Sequence, residues 1–255
     1  MTQWMRFAEN GTPGFGRRDG NEISVHAGDM FGAPQPTGRT IALDAVVVLT
    51  PTVAGKMVAL WNNFHALAAK LGNPVPSEPL YFLKANSWYL ATGQTIRMPA
   101  SYSGKVVCEG ELGIVIGRTC RAVSEAEAAR NIFGYTCIND VTAAEIPHRD
   151  PTFAQWTRAK SFDSFGVFGP VVATGLDPMQ LSIRTVLNDQ ERQSYPVADM
   201  VFPPAKLVSL ISQDMTLDPG DVGACGTSAG LGSMKPGSTV SVTIDGIGTL
   251  TNGFE

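Results

Sequence analysis

A chain of 255 residues with 44% hydrophobic and 16% charged side chains has the composition of an ordinary globular protein and the length to bury a large core. With 19 basic and 23 acidic residues the net charge is -4, which supplies no broad basic footprint and argues against nucleic acid or an anionic membrane as the main partner. Small molecules remain, and the strongest early apolar run, Ile41 to Leu49, is interrupted by Asp44 and falls far short of the roughly 20 residues a bilayer crossing needs.

In chain order, the start Met1-Thr-Gln-Trp-Met-Arg lacks the charged and apolar regions of a signal peptide, so a cytoplasmic location is expected. Residues 1–52 are rich in turn signals such as Asn10-Gly11 and Asp19-Gly20 between short apolar pieces, and predict a small N-terminal β-domain ahead of a main domain over 53–255. From Val53 the residues Met57, Leu60, Trp61, Phe64, Leu67 and Leu71 recur at helical steps and predict one long helix ending at Gly72. Asn62-Asn63 would sit awkwardly inside it, which keeps open a strand from Lys56 to Trp61 followed by a helix from about Phe64.

Leu80 to Leu83 reads as a strand, 84–105 as polar and turn-rich, and Cys108 to Gly117 as a buried strand with Glu109 and Glu111 at its mouth. Ser124 with Glu127 forms a capping box for a short helix. Phe133 to Ile138 predicts a strand that delivers Asn139-Asp140 at its end. Further strands are predicted at Val167 to Val172, Ser182 to Leu187, Val222 to Cys225, Thr239 to Ile244 and Gly248 to Leu250, with a helix at Pro203 to Met215 facing inward through Leu207, Leu210 and Ile211. Strands dominate a mixed α/β architecture. The four cysteines, Cys108, Cys120, Cys137 and Cys225, form no CxxC pair and read as buried reduced thiols rather than a zinc site or disulfide framework.

Residues i and i+2 of a strand share a face, so Glu109 and Glu111 project side by side. Two readings stay open for this pair: solvated carboxylates at a strand edge, or buried ones that share a proton or a hard divalent cation. Asp140, at another strand end, would complete a three-carboxylate set; alone it reads equally well as a turn residue.

Glu109-Gly-Glu-Leu112, Asn139-Asp140, Gln155 through Asp163 and Gly226-Thr227-x-Ala229-Gly230, with Phe82-Leu83-Lys84 and Thr216 through Asp221, resemble in order and spacing the fumarylacetoacetate hydrolase family from about Lys56 to the C-terminus. The resemblance implies strands rolled into a sandwich-like barrel behind a small N-terminal β-domain, a homodimer, and a Mg2+ or Mn2+ site, Ca2+ being admitted, on Glu109, Glu111 and Asp140. It implies a 2-oxo acid substrate chelating that cation, with Lys160, Gln155 and Thr227 on its oxygens and Lys84 in a substrate-binding role. The expected reaction is hydrolysis of the C–C bond of an acylpyruvate such as maleylpyruvate or fumarylpyruvate, in aromatic catabolism.

One departure bears on that reaction. Hydrolases of this type carry Asn-Tyr-x-x-His-x-x-Glu in a lid, and the matching stretch here is Asn63-Phe64-His65-Ala66-Leu67-Ala68-Ala69-Lys70, with Leu67 and Lys70 at the water-activating positions. His65 is the candidate substitute, with Glu78 or Glu145 as its acidic partner. The loss keeps open decarboxylation or isomerisation at the same centre, and, from a different class, a binding protein that retains the fold without turnover.

Overall fold

The computed structural model describes residues 1–255, Trp88 by its backbone alone. Residues 53–72 are not one helix: they form a strand, Met57–Trp61, and a seven-residue helix α1, His65–Leu71. The spacing is deceptive because the strand is covered on both sides, Val58 and Leu60 packing into one core cluster and Met57 and Ala59 into another. Such a strand is apolar throughout and loses its period-two signal. Asn62, at φ +59 in the left-handed region, separates the two elements, and Gly72, at φ +68, closes α1 as the sequence predicts.

The largest sheet has twelve strands. Its main path runs Gln35–Ala42, Glu22–Ala27, Thr12–Asp19, Thr2–Glu9, Gly166–Thr174, Ile132–Asp140, Gly110–Ile116, Val222–Ala224, Met57–Trp61, Leu80–Lys84. The order is open, with Gln35–Ala42 and Leu80–Lys84 at its edges, so the sheet does not close into a barrel. A five-stranded sheet, Gln190–Pro196, Ser182–Leu187, Thr239–Ile244, Gly248–Phe254 and Thr95–Ile96, packs against its central strands and makes a sandwich. Ile183, Val242, Ile244 and Leu250 meet Leu112, Ile114, Val167 and Val171 in the shared core. A third sheet of three short strands, Thr142–Ala143, Val106–Cys108 and Gly232–Met234, lies next to the ends of the strands that bear the acids.

Ser182–Leu187 and Thr239–Ile244 fall where the sequence puts them. Asn188 and Asp189, at φ +49 and +62, turn the first of these into Gln190–Pro196, a strand whose polar sequence concealed it. Helix α2, Glu125–Asn131, starts on the predicted capping box, with the Ser124 side chain accepting from the Glu127 N–H and the Glu127 carboxylate accepting from the Ser124 N–H. Helix α3 spans Trp156–Lys160, and α4, Pro204–Asp214, buries Leu207, Val208 and Ile211. Among the described residues no helix is long and apolar enough to cross a membrane.

Candidate metal centre

Glu109 does not lie within a continuous strand as the sequence predicts. It occupies the break between Val106–Cys108 and Gly110–Ile116, where the chain passes from the three-stranded to the twelve-stranded sheet. The next residue has to be glycine, because a Cβ on Gly110 would collide with Thr185 Oγ1 of the opposing sheet. Glu111 is the second residue of its strand and Asp140 the last of the neighbouring one. Register fixes their meeting, since Gly110 pairs with Asn139 and Glu111 with Ile138.

The solvated-edge reading fails on burial: Glu109 is 8% exposed, Glu111 1% and Asp140 0%. One carboxylate oxygen from each lies within 4.8 Å of the others. Lys160 Nζ, from the end of α3, donates to Asp140 Oδ2 at 2.5 Å and to Glu109 Oε2 at 2.9 Å. Lys84 Nζ, from the edge strand, pairs with Asp140 Oδ1 and reaches the Phe165 carbonyl at 3.3 Å. Thr142 Oγ1 donates to Glu109 Oε1 at 2.6 Å, and the Gly226 N–H to Glu111 Oε2 at 2.9 Å. Glu111 Oε1 is buried without a hydrogen-bond partner among the described residues.

The electrostatics follow from this packing. Burial, reinforced by Asp140 and Glu109, pushes the Glu111 carboxyl well above the usual range despite the Lys160 charge. Burial would raise Asp140 too, but the charges and hydrogen bonds of Lys160 and Lys84 outweigh it and hold Asp140 below its ordinary value. Burial works against a charged Lys160, yet Asp140, Glu109 and Glu111 together raise its pKa, so it keeps its proton. Lys84 goes the other way, lowered chiefly by burial.

A hard divalent cation fits this donor set. With all three acids ionised, three carboxylates against two ammonium groups would carry one net negative charge, and the orphaned Glu111 oxygen requires either a proton or a cation. A divalent ion there would reverse the net charge of the centre to one positive, suited to an anionic ligand.

Thr227 is buried, its Oγ1 donating to the Gly110 carbonyl at 3.0 Å and accepting from Gln193 Nε2 at 2.8 Å. Gln155 precedes α3, half-buried, and its Oε1 accepts from Arg158 at 2.8 Å. His65 is the exposed first residue of α1, and among the described residues no hydrogen bond or ion pair ends on its ring; Leu67 is half-buried and Lys70 exposed. Neither proposed acidic partner joins it. Glu78 is exposed in the loop after α1, and Glu145 accepts from the Lys105 N–H at 3.0 Å.

Two neighbours escaped the sequence reading. Gln193 accepts the Gly110 N–H at 3.0 Å and Tyr195 donates to the Gly110 carbonyl at 2.5 Å, so both peptide groups between the glutamates are held. The signal was present as buried alternation, Gln193 then Tyr195, inside the polar strand 190–196. Asn63 binds the carbonyls of Cys225 and Phe202, at 2.8 and 3.4 Å, fixing the entry to α1 beside the Gly226 loop. Gly226 has φ +85 and sits close under the Leu60 carbonyl, which suits no side chain.

Residues 56–255 match the family model described as fumarylacetoacetate (FAA) hydrolase C-terminal, and residues 2–51 the model described as Rv2993c-like, N-terminal. Protein Rv2993c of Mycobacterium tuberculosis is 44% identical over 234 residues, 91% of this chain and 86% of that protein. The crystal structure of a 2-hydroxyhepta-2,4-diene-1,7-dioate isomerase from Mycobacterium marinum superposes with a TM-score of 0.91 at 39% identity, covering 100% of this chain and 98% of that one. A maleylpyruvate hydrolase from Sphingobium sp. SYK-6, solved with manganese(II) and pyruvate, gives 0.80 at 26% identity, covering 99% and 98%.

Proposed function

Because the chain belongs to the fumarylacetoacetate hydrolase family, we propose that Glu109, Glu111 and Asp140 hold Mg2+ or Mn2+, with Ca2+ a third suitable ion, and that the centre isomerises or tautomerises a 2-oxo acid through its enolate. The observation that carries this reading is the lid. Leu67 and Lys70 stand where hydrolases of this type carry the water-activating histidine and glutamate, and His65 is exposed without an acidic partner among the described residues. Hydrolysis needs a base placed to generate nucleophilic water, whereas enolisation at a centre that stabilises the enolate needs only an acceptor for the C3 proton, which solvent water or buffer can supply and return at the other carbon or oxygen.

When bound, the cation supplies Lewis-acid stabilisation of charge developing on the substrate oxygen. The protein's own groups do the rest. Lys160 Nζ, protonated and held by two carboxylates, offers a fixed positive charge and a donor rather than a base. Lys84 holds Asp140 in place from the opposite side. Thr227 gives its one proton to the Gly110 carbonyl and with Gln193 holds the backbone between the glutamates, while the NH2 of Gln155 is a donor offered to the oxygens of the acid. A homodimer, a cytoplasmic location and a small-molecule partner belong to the same proposal.

The Mycobacterium marinum isomerase, similar along essentially the whole chain, supports the non-hydrolytic reading, and the manganese and pyruvate of the Sphingobium structure support the cation and the 2-oxo acid. The name of that second protein also favours acylpyruvate hydrolysis as the competing reading. Acylpyruvates, oxaloacetate and hydroxymuconate-type acids, incubated with Mg2+, Mn2+ or chelator, separate the two by product mass. An isobaric product supports isomerisation, and pyruvate plus a second acid supports hydrolysis. CO2 release would show decarboxylation at the same centre, and no cation-dependent turnover of any substrate would sink the assignment.

A further inference from the structure

Beside the carboxylate cluster lies an open cleft of about 580 Å3, bounded by the edge strand 80–84 and the segment 153–162. Its wall is aromatic: Phe82 and Trp156 stack with ring centroids 6.0 Å apart and planes 18° from parallel, and Tyr81, Phe153 and Phe162 complete the lining. Phe82 also borders the candidate centre. Residues two apart on a strand share a face, so Phe82 projects on the side of Lys84, and Lys160 Nζ lies 5.9 Å from the Phe82 ring centroid. One ring therefore forms the inner end of the cleft and a wall of the carboxylate cluster.

Arg158 is the one charged side chain among the lining residues, and it is engaged by Gln155. Arginine only donates, so this bond fixes the Gln155 carboxamide with its oxygen toward Arg158 and its NH2 as the remaining donor. The other polar lining groups are engaged outside the cleft, Tyr81 with Asp214, Thr157 with the Leu83 carbonyl and Ser161 with the Ala85 N–H, so the cleft offers a largely aromatic wall with the Gln155 NH2 and the remaining N–H groups of Arg158 as its donors. A concavity of this size with five aromatic lining residues suits a flat aromatic group.

Resting on the reading of the centre as a 2-oxo acid site, we propose that this cleft receives the substrate's tail, that the tail is an aryl group, and that Phe82 and Trp156 are its specificity-determining residues. The test is calorimetric titration of the protein in saturating Mn2+ with phenylpyruvate and with pyruvate as probes. Burial of the ring predicts that phenylpyruvate binds about 10- to 100-fold more tightly than pyruvate. W156A reduces that preference to within threefold, whereas W156F, which keeps a flat ring and guards against a folding artefact, retains most of it. Equal affinities in the unaltered protein, or a preference that survives both W156A and F82L, overturn the cleft assignment while leaving the centre standing. Failure of both probes to bind overturns the reading of the centre and the cleft assignment with it.

Discussion

The Gly226 N–H donates to Glu111 Oε2 at 2.9 Å, tying the loop after Val222–Ala224 to the acid strand and leaving Glu111 Oε1 buried with no partner among the described residues. With its pKa raised by burial and by Asp140 and Glu109, the cation-free Glu111 carboxyl keeps its proton to higher pH than a free glutamate. A cation must displace that proton. Mn2+ affinity should therefore rise with pH up to the folded-state pKa of Glu111 and fall as pH drops, with protons released on binding. Calorimetry in buffers of different ionisation enthalpy measures the release. E111Q should weaken binding at least tenfold and remove the pH dependence; an affinity indifferent to pH in the unaltered protein would contradict the role given to Glu111.

Lys160 offers a second test, because it neutralises Asp140 and Glu109 in a buried site. K160M leaves both carboxylates short of a counter-charge. Removing one partner of a buried ion pair costs about 3–5 kcal/mol, and loss of a fixed donor at a developing oxyanion costs roughly 100- to 1,000-fold in turnover. Urea unfolding with and without Mg2+ should show the destabilisation, partly recovered by the cation. Unchanged stability would mean that Asp140 and Glu109 do not depend on this ammonium.

The capping box at α2 lies away from the carboxylate cluster and provides a control. S124A removes the side chain that accepts the Glu127 N–H and should cost about 1 kcal/mol of stability. Thermal unfolding and turnover measured on the same sample should show a lowered melting temperature with activity within twofold of the unaltered protein.

The capping box was legible because its cause is local: four consecutive residues satisfy each other's backbone donors. Ser182–Leu187 and Thr239–Ile244 were legible because each has one buried face and so keeps its alternation. The misreading at 53–72 came from the opposite circumstance, a strand buried on both sides whose apolar run joined smoothly onto a short helix. At the candidate site, the acids were legible as types and spacing and Lys160 only through the family resemblance, and the convergence of these groups was not legible at all. It depends on pairing of residue 110 with residue 139 and on the chain break at Glu109, both set by tertiary structure. Gln193 and Tyr195 stayed hidden because only their burial against Gly110, more than 80 residues distant in sequence, distinguishes them from a surface hairpin.

The cysteines yield a prediction that is independent of catalysis. All four are free and buried, and burial raises the thiol of Cys108 to about 11, that of Cys137 to about 12 and that of Cys225 well above its ordinary value. A thiol-specific chromogenic reagent at pH 8 should label none rapidly in the native protein and all four in denaturant. Fast native labelling at any of them would reveal an opening that the packed core does not show.

Enolate chemistry at the carboxylate centre is tested most directly by proton NMR in D2O, following exchange at C3 of a 2-oxo acid. Deuterium should enter C3 much faster with enzyme and Mg2+ than with Mg2+ alone, and the acceleration should vanish with chelator or in E111Q. Exchange no faster than the Mg2+ background, or acceleration that persists in E111Q with chelator present, would contradict a cation-held enolate on Glu109, Glu111 and Asp140.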